Sequence, residues 1–229
     1  MDVRFMLQSF PKILAALPLT LAITLLSMVV GLLLGLLFTF AKISRWMLVR
    51  GFAFAFTTLV RGIPTVVLLF LSYFGLPALF AIFGVNINGW DRILFAVIAL
   101  VLEISAVASE LFRSAWLSVN RGQLDAAYSI GMNHAQTFSR VIAPQVLRVI
   151  APNLANLTIA QFQNTSLVYT LGVIDIVGKV NILSDAVFGI KTLELYLTAA
   201  LIYWGVCVLF SCGFHLLEQR LNRGVVLAR

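Results

Sequence analysis

Residues 121–144 read RGQLDAAYSIGMNHAQTFSRVIAP, a polar island in an otherwise apolar chain. Their spacing predicts a short helix, a turn and a second short helix. Gly122 lets the chain turn as it enters the stretch. Asp125 near the start of the first helix favours the positive end of the helix dipole. Ala126 and Ala127 are small enough for another surface to approach the backbone. Gly131 breaks the helix, Asn133 can cap the next one, and that second helix, with Phe138, Val141 and Ile142, is expected to end before Pro144. A polar, helix-forming connector of this length between apolar segments reads as a docking surface for another protein.

The surroundings decide the fold class. Of 229 residues, 61% are hydrophobic and 11% charged, with mean hydropathy +1.02. Soluble domains carry about 45–50% apolar and about 25% charged residues, so the composition predicts an all-α integral membrane protein. The net charge of +7 fits basic loops at one membrane face. No basic run with interleaved aromatics suggests nucleic acid as a partner. Cys207 and Cys212 lie inside an apolar run, with neither a metal nor a disulfide-framework spacing. The first apolar run, 13–41, is too long for a signal-peptide core of about 7–15 residues and reads as a retained span.

Working outward from 121–144, five windows near the length of about 20 apolar residues needed to cross a bilayer fall at about 14–41, 52–75, 92–114, 153–174 and 195–217. In the first, Gly31 and Gly35 form a small-xxx-small pair that permits close helix approach. The second is interrupted by Arg61-Gly62-Ile63-Pro64, where a bend is expected. Segments 76–91 and 175–194 read as loops. With the N-terminus outside, the inner segments hold ten basic residues (Lys42, Arg45, Arg50, Arg113, Arg121, Arg140, Arg148, Arg220, Arg223, Arg229) against five outside (Arg4, Lys12, Arg92, Lys179, Lys191). This asymmetry predicts an outside N-terminus, a cytoplasmic C-terminus and a cytoplasmic 121–144 connector. No repeat or composition shift divides the chain, so residues 1–229 form a single domain.

Polar residues inside apolar spans are costly and mark functional positions. At about 1.5 Å per residue, Arg61, Glu103 and Asn164 all fall near the middle of a core about 30 Å thick. Gln161, Gln163, Thr165 and Ser166 enrich the same level. The arrangement predicts a translocation cavity in which Glu103 meets an ammonium group and Arg61 a carboxylate, while the amides and hydroxyls complete the shell. The competing reading is an Arg61–Glu103 ion pair or polar glue between helices. His134 and His215 are isolated and suggest no catalytic group.

Several motifs carry a resemblance. Asp125-Ala126-Ala127, with Gly131 and then Ile142-Ala143-Pro144, resembles the "EAA" loop of the transmembrane subunits of bacterial ABC importers. Arg61-Gly62-Ile63-Pro64 resembles an Arg-Gly-Thr-Pro motif, and Tyr73-Phe74-Gly75-Leu76-Pro77 a Tyr-Phe/Tyr-Gly-Leu-Pro run. Glu110, Arg113 and Gly122-Gln123 resemble the segment leading into the loop. Asn164-Thr165-Ser166-Leu167 resembles Lys-Asp-Thr-Ser-Leu, and Glu218 also fits. In this order they look like the polar amino acid permeases of histidine, glutamine, arginine and cystine type, over roughly residues 15–220. Gln163-Asn164 replaces the usual Lys-Asp, and Glu103 is an additional acid. Both departures point to an altered substrate preference.

The resemblance implies a permease subunit of an ATP-driven importer that works by alternating access and couples to an ATPase through Gly122, Asp125, Ala126, Ala127, Gly131 and Pro144. It implies a second permease subunit (homodimer favoured, heterodimer possible), two cytoplasmic ATPase subunits that hold the ATP and Mg, and an extracytoplasmic substrate-binding protein. The expected substrate is a zwitterionic or cationic amino acid, with cystine a candidate. No phosphate-binding Gly-x-x-x-x-Gly-Lys-Ser/Thr loop is present, so no cofactor is expected on this chain, no catalytic residue is assigned and the chain is not expected to be an enzyme. The alternative is a membrane-embedded scaffold, which predicts polar residues that pair off and leave no cavity.

Overall fold

A computed structural model describes residues 1–221, without the side chain of Arg121. Arg223 and Arg229 of the basic tail lie outside the described residues. The described residues fold as helices: α1 Val3–Leu14, α2 Leu17–Lys42, α3 Met47–Gly62, α4 Thr65–Ile82, α5 Arg92–Leu117, α6 Arg121–Ser129, α7 His134–Thr137, α8 Ala143–Asn164, α9 Ile176–Ala186 and α10 Thr192–Leu221. Helices α2, α4, α5 and α10 are each long and apolar enough to cross a membrane. The bent path from α7 through α9 makes a fifth candidate.

The bundle is organised on the pairing of α2 with α5. Along α2, Thr20, Thr24, Ser27, Gly31, Gly35, Thr39 and Lys42 recur every three or four residues and are all buried, so small and polar side chains share one helix face. A Cβ on Gly31 would lie 2.5 Å from Ile104 Cγ2, and one on Gly35 2.7 Å from Ala108 Cβ. The backbones therefore approach as the small-xxx-small spacing predicts. The hydroxyls of Thr20, Thr24, Ser27 and Thr39 each donate to a carbonyl of α2 or of its N-cap Ala16, at 2.8–3.2 Å, so none of these hydroxyls is an orphan donor. The opposite face (Leu26, Val29, Leu33, Leu37, Phe40) is exposed and apolar, as lipid contact requires.

At the end of the stripe, Lys42 is not a loop residue. It closes α2, is 3% exposed, and pairs with Glu110 Oε1 at 2.5 Å; Glu110 Oε2 pairs with Arg113 at 2.9 Å. Lys42 also donates to Ser109 Oγ at 2.9 Å and lies over the Phe54 ring. This cluster fastens α2, α3 and α5 together beside the 121–144 connector.

The window 52–75 does not coincide with one bent helix. The chain leaves α3 at Ile63 (φ −100°, ψ 129°), passes through Pro64 (φ −58°, ψ 143°) and starts α4 anew. The residue before a proline is driven out of the helical region, so the motif separates two helices. Segment 76–91 is partly helical, because α4 continues to Ile82. Segment 175–194 contains α9, whose N-cap Asp175 accepts from Gly178 N at 2.8 Å.

Two π turns interrupt longer helices, at Leu71–Gly75 and Phe138–Ile142. Each ends two residues before a proline, Pro77 or Pro144. A proline withholds its N–H and crowds the carbonyl four residues earlier, here Tyr73 or Arg140, and the turn widens instead of breaking. Pro144 therefore does not end a helix. It occupies the first turn of α8, where a missing N–H costs nothing, and the window 153–174 begins ten residues inside that helix.

Residues before the first window form α1, which packs against α9 and α10 through Ile13, Ile176, Val180 and Leu195. Asp2 caps α1 by accepting from Phe5 N and receives Lys191 Nζ at 2.8 Å. This second core is joined to the α2–α5 core by Gln161, whose Nε2 donates to Ser27 Oγ at 2.8 Å.

Candidate functional site

Glu103 lies in the middle of α5 and is half-buried. Its Oε1 receives Thr65 Oγ1 at 2.8 Å and Asn164 Nδ2 at 3.1 Å. Its Oε2 is buried and has no hydrogen-bond partner. A buried acceptor without a donor costs more than the bond it lacks would contribute, and Oε2 shares this state with Gln161 Oε1 and Thr137 Oγ1. The α3–α4 break positions Thr65 as the first residue of α4, and Asn164 closes α8. The carboxylate is thus held by the ends of two other helices.

The seven residues assigned to one shell do not share one pocket. Asn164 joins Glu103. Arg61 makes no ion pair with Glu103; among the described residues the salt bridges are those of Lys42, Arg113 and Lys191. Arg61 is exposed and lines a cavity of about 550 Å³ with Val107, Glu110, Ser114, Asn153 and Asn156. Gln161 is buried against Ser27. Gln163 and Ser166 face a groove of about 260 Å³ beside Tyr196 and Tyr203. Thr165 is buried and bonds its own turn, donating to Phe162 O at 2.6 Å. Helical periodicity explains the split: residues 163 and 166, three apart, share one side of the axis, and 161 and 164 share the other. Thr65 escaped the sequence reading, although a threonine just after a proline-induced break carried a usable signal.

The 121–144 connector is a pre-formed unit. Helix α6 starts at Arg121, with the Asn120 side chain accepting from Gly122 N at 2.8 Å. Gly122 is therefore within the helix and not at a turn, and Asp125 lies in the second turn, beyond the strongest part of the dipole field. Gly131 takes φ +80°, a left-handed conformation open to glycine at no steric cost. Asn133 and Gln136 form a reciprocal capping box on α7. Tyr128 Oη and His134 Nδ1 lie 2.8 Å apart and pin α6 to α7. The Gln123 and Gln145 side chains hydrogen-bond and pin α6 to α8. Asp125 and Ala126 are exposed, whereas Ala127 is 4% exposed and packed against its own chain. The face available to a partner is therefore narrower than the Asp-Ala-Ala spacing suggests.

Residues 27–223 match the family described as the binding-protein-dependent transport system inner membrane component. Among similar curated proteins, the L-cystine transport system permease protein TcyL of Bacillus subtilis (strain 168) is 35% identical over 93% of this chain and 88% of its own. TcyB, an L-cystine transport system permease protein of the same organism, is 36% identical over 90% and 85%. Among solved structures, the chain is similar to one described as an amino acid ABC transporter with histidines. That likeness has a TM-score of 0.83 at 31% identity and covers 96% of this chain and 99% of the other. A chain of the MetNI methionine ABC transporter, at 15% identity and TM-score 0.64 over 97% and 100%, shows the shared fold alone. With its apolar helices, this chain belongs to the family of inner membrane components of binding-protein-dependent transport systems, as a multi-pass protein of the bacterial inner membrane.

Proposed function

We propose that the chain is the permease of an ABC importer for polar amino acids and that Glu103 receives the substrate's ammonium group. The observation that carries this reading is the carboxylate with Oε1 held by Thr65 and Asn164 and Oε2 buried without a partner. A substrate ammonium supplies the missing charge-assisted hydrogen bond. A zwitterionic or cationic amino acid fits this chemistry, and the likeness to two L-cystine permeases makes cystine the first candidate. The scaffold alternative is disfavoured by the unpaired oxygen and by the cavity beside Arg61.

ATP is hydrolysed on separate ATPase subunits that carry the Mg. The connector end of the bundle faces the cytoplasm and the N-terminus faces outward. Asp125 and Ala126 present the docking face, and α6 and α7 move as one body. A second copy of this chain completes the membrane part, and an extracytoplasmic receptor delivers the substrate. Nucleotide-driven closure of the ATPases shifts the connector and exposes the site alternately to each side; the driving free energy comes from the different affinities of nucleotide for the two states.

The test is uptake of radiolabelled L-cystine, L-histidine, L-arginine and L-glutamine by the complete transporter in proteoliposomes, comparing wild type with Glu103→Gln. Uptake and substrate-stimulated ATPase should fall together in the variant. Wild-type affinity and coupling in Glu103→Gln would defeat the assignment.

A further inference from the structure

The cavity beside Arg61 lies toward the connector end from Glu103, and two helices lead to it in register. On α5, Glu103, Val107, Glu110 and Ser114 fall at i, i+4, i+7 and i+11. On α8, running the other way, Asn164, Ala160, Leu157 and Asn153 repeat the same intervals in reverse. Such spacing keeps each set on one helix face. Asn164 touches Glu103 at the inner end of the two stripes. The other six residues all line the cavity, together with Asn156 and Arg61. Between Glu103 and Glu110 the helix rises about 10 Å, and between Asn164 and Asn153 about 16 Å. That is longer than the span between the ammonium and carboxylate on one α-carbon, so the Asn153 end of the cavity is a separate station.

Its electrostatics are basic. The charged lining residues are Arg61 and Glu110. Glu110 is held by both Lys42 and Arg113, a cluster of net charge +1, and Arg61 is the lining cation without an acidic partner among the described residues. An arginine and two asparagines exposed on one face at this depth are too costly against lipid, so the face is turned away from it. The fork of Arg61 matches a carboxylate, and the amides of Asn153 and Asn156 add donors. Arg61 lies in the last turn of α3, four residues before Thr65 begins α4, so the break between these helices separates the two stations.

We propose that Arg61, Asn153 and Asn156 form a second, connector-side station that takes the carboxylate of the departing amino acid after it leaves Glu103. This rests on the reading of Glu103 as the first station.

The experiment uses the complete transporter in a Cys207→Ser, Cys212→Ser background carrying Asn156→Cys. Two membrane-impermeant thiol reagents of similar size are applied from the connector side: the anionic sulfonatoethyl and the cationic trimethylammonioethyl methanethiosulfonates. Asn156→Cys should label, with the anion favoured. Adding Arg61→Gln should lower the anion-to-cation rate ratio about five- to tenfold, the effect of one unit charge inside a water-filled cleft, and Arg61→Lys should retain most of it. In parallel, Arg61→Gln should reduce the maximal uptake rate of the radiolabelled amino acids without shifting the half-saturating receptor concentration. An unreactive Asn156→Cys, a rate ratio indifferent to Arg61, or wild-type uptake in Arg61→Gln would each overturn the second station. Failure of Glu103→Gln to impair uptake would instead remove the first station, while the labelling ratio would still report on the cavity.

Discussion

Asn164 Nδ2 donates to Glu103 Oε1 across 3.1 Å, which ties the last residue of α8 to the middle of α5. The other end of α8 is bonded to the connector through Gln145 and Gln123. One helix therefore runs from the docking unit to the candidate substrate carboxylate.

If that bond orients Glu103, Asn164→Ala should raise the half-saturating substrate concentration about tenfold or more, as expected for losing a hydrogen bond to a charged group. Asn164→Asp should do more harm, because it places a second carboxylate beside the first. Substrate-stimulated ATPase in nanodiscs measures both; wild-type half-saturation in Asn164→Ala would show that Thr65 alone suffices.

The glycine seam gives a prediction about stability. Gly31→Val places atoms within 2.5 Å of Ile104 and should destabilise the subunit by about 1–3 kcal/mol. Gly51→Ala is the control: nothing lies within 4 Å of a Cβ there, and an alanine in a helix favours it by about 0.5–1 kcal/mol. Thermal melting in detergent should fall for the first and hold or rise for the second.

Lys42 and Glu110 should be coupled, because the lysine side chain is fully buried and its half-buried partner lies 2.5 Å away. Lys42→Met should cost about 2–4 kcal/mol by leaving Glu110 with Arg113 alone. Adding Glu110→Gln should recover part of that loss. A double-mutant cycle on unfolding reads the coupling, and additive effects would contradict the pairing.

Within the connector, two adjacent alanines should behave differently. Ala126→Leu and Asp125→Lys act on an exposed face, so they should reduce co-purification of the ATPase while the melting temperature stays within error. Ala127→Leu intrudes on the chain's own packing and should lower both. Equal behaviour of the two leucine variants would contradict the assigned docking face.

The contact of α1 with the segment before α10 should respond to pH only at the extremes. The hydrogen bond from Lys191 holds the Asp2 carboxyl below its ordinary 3.8, and the same bond raises Lys191 above its ordinary 10.5. A depressed acid stabilises above its unfolded value, and that contribution is lost as pH falls through the folded one. A raised base stabilises below its unfolded value, and its contribution is lost as pH rises through the folded one. The protection of residues 3–14 against hydrogen exchange, relative to the intrinsic rate at each pH, should therefore hold between about pH 5 and 9 and fall below the Asp2 range. Lys191→Met should lower it throughout.

Much of this was legible from residues alone, for identifiable reasons. The Gly31–Gly35 pair of α2 is a one-dimensional pattern that helical periodicity converts directly into a close approach, and Thr20, Thr24 and Ser27, which extend it, went unread. Gly131 and Asn133 specify their turn and cap locally. Glu103 stands out because charge inside an apolar run is rare. The partners of Glu103 were harder to assign: Asn164 was grouped with Gln161, Gln163, Thr165 and Ser166 by depth, and only the angle around α8 separates them. The role of Lys42 was hidden because a lysine at the end of an apolar window looks the same whether it enters water or turns inward to Glu110. Pro144 was misjudged because a proline can widen a turn as well as stop a helix.

The self-satisfied hydroxyls of α2 have a consequence for biogenesis. Its seam partner α5 begins fifty residues after α2 ends, so α2 must wait in the bilayer while the intervening segments are made. Because Thr20, Thr24, Ser27 and Thr39 already donate within their own segment, the waiting helix offers lipid no unpaired hydroxyl along its stripe, and Lys42, at its end, stays at the membrane face until Glu110 arrives. The helix can be inserted early, without a helper to shield it, and the glycine face then closes when its partner arrives.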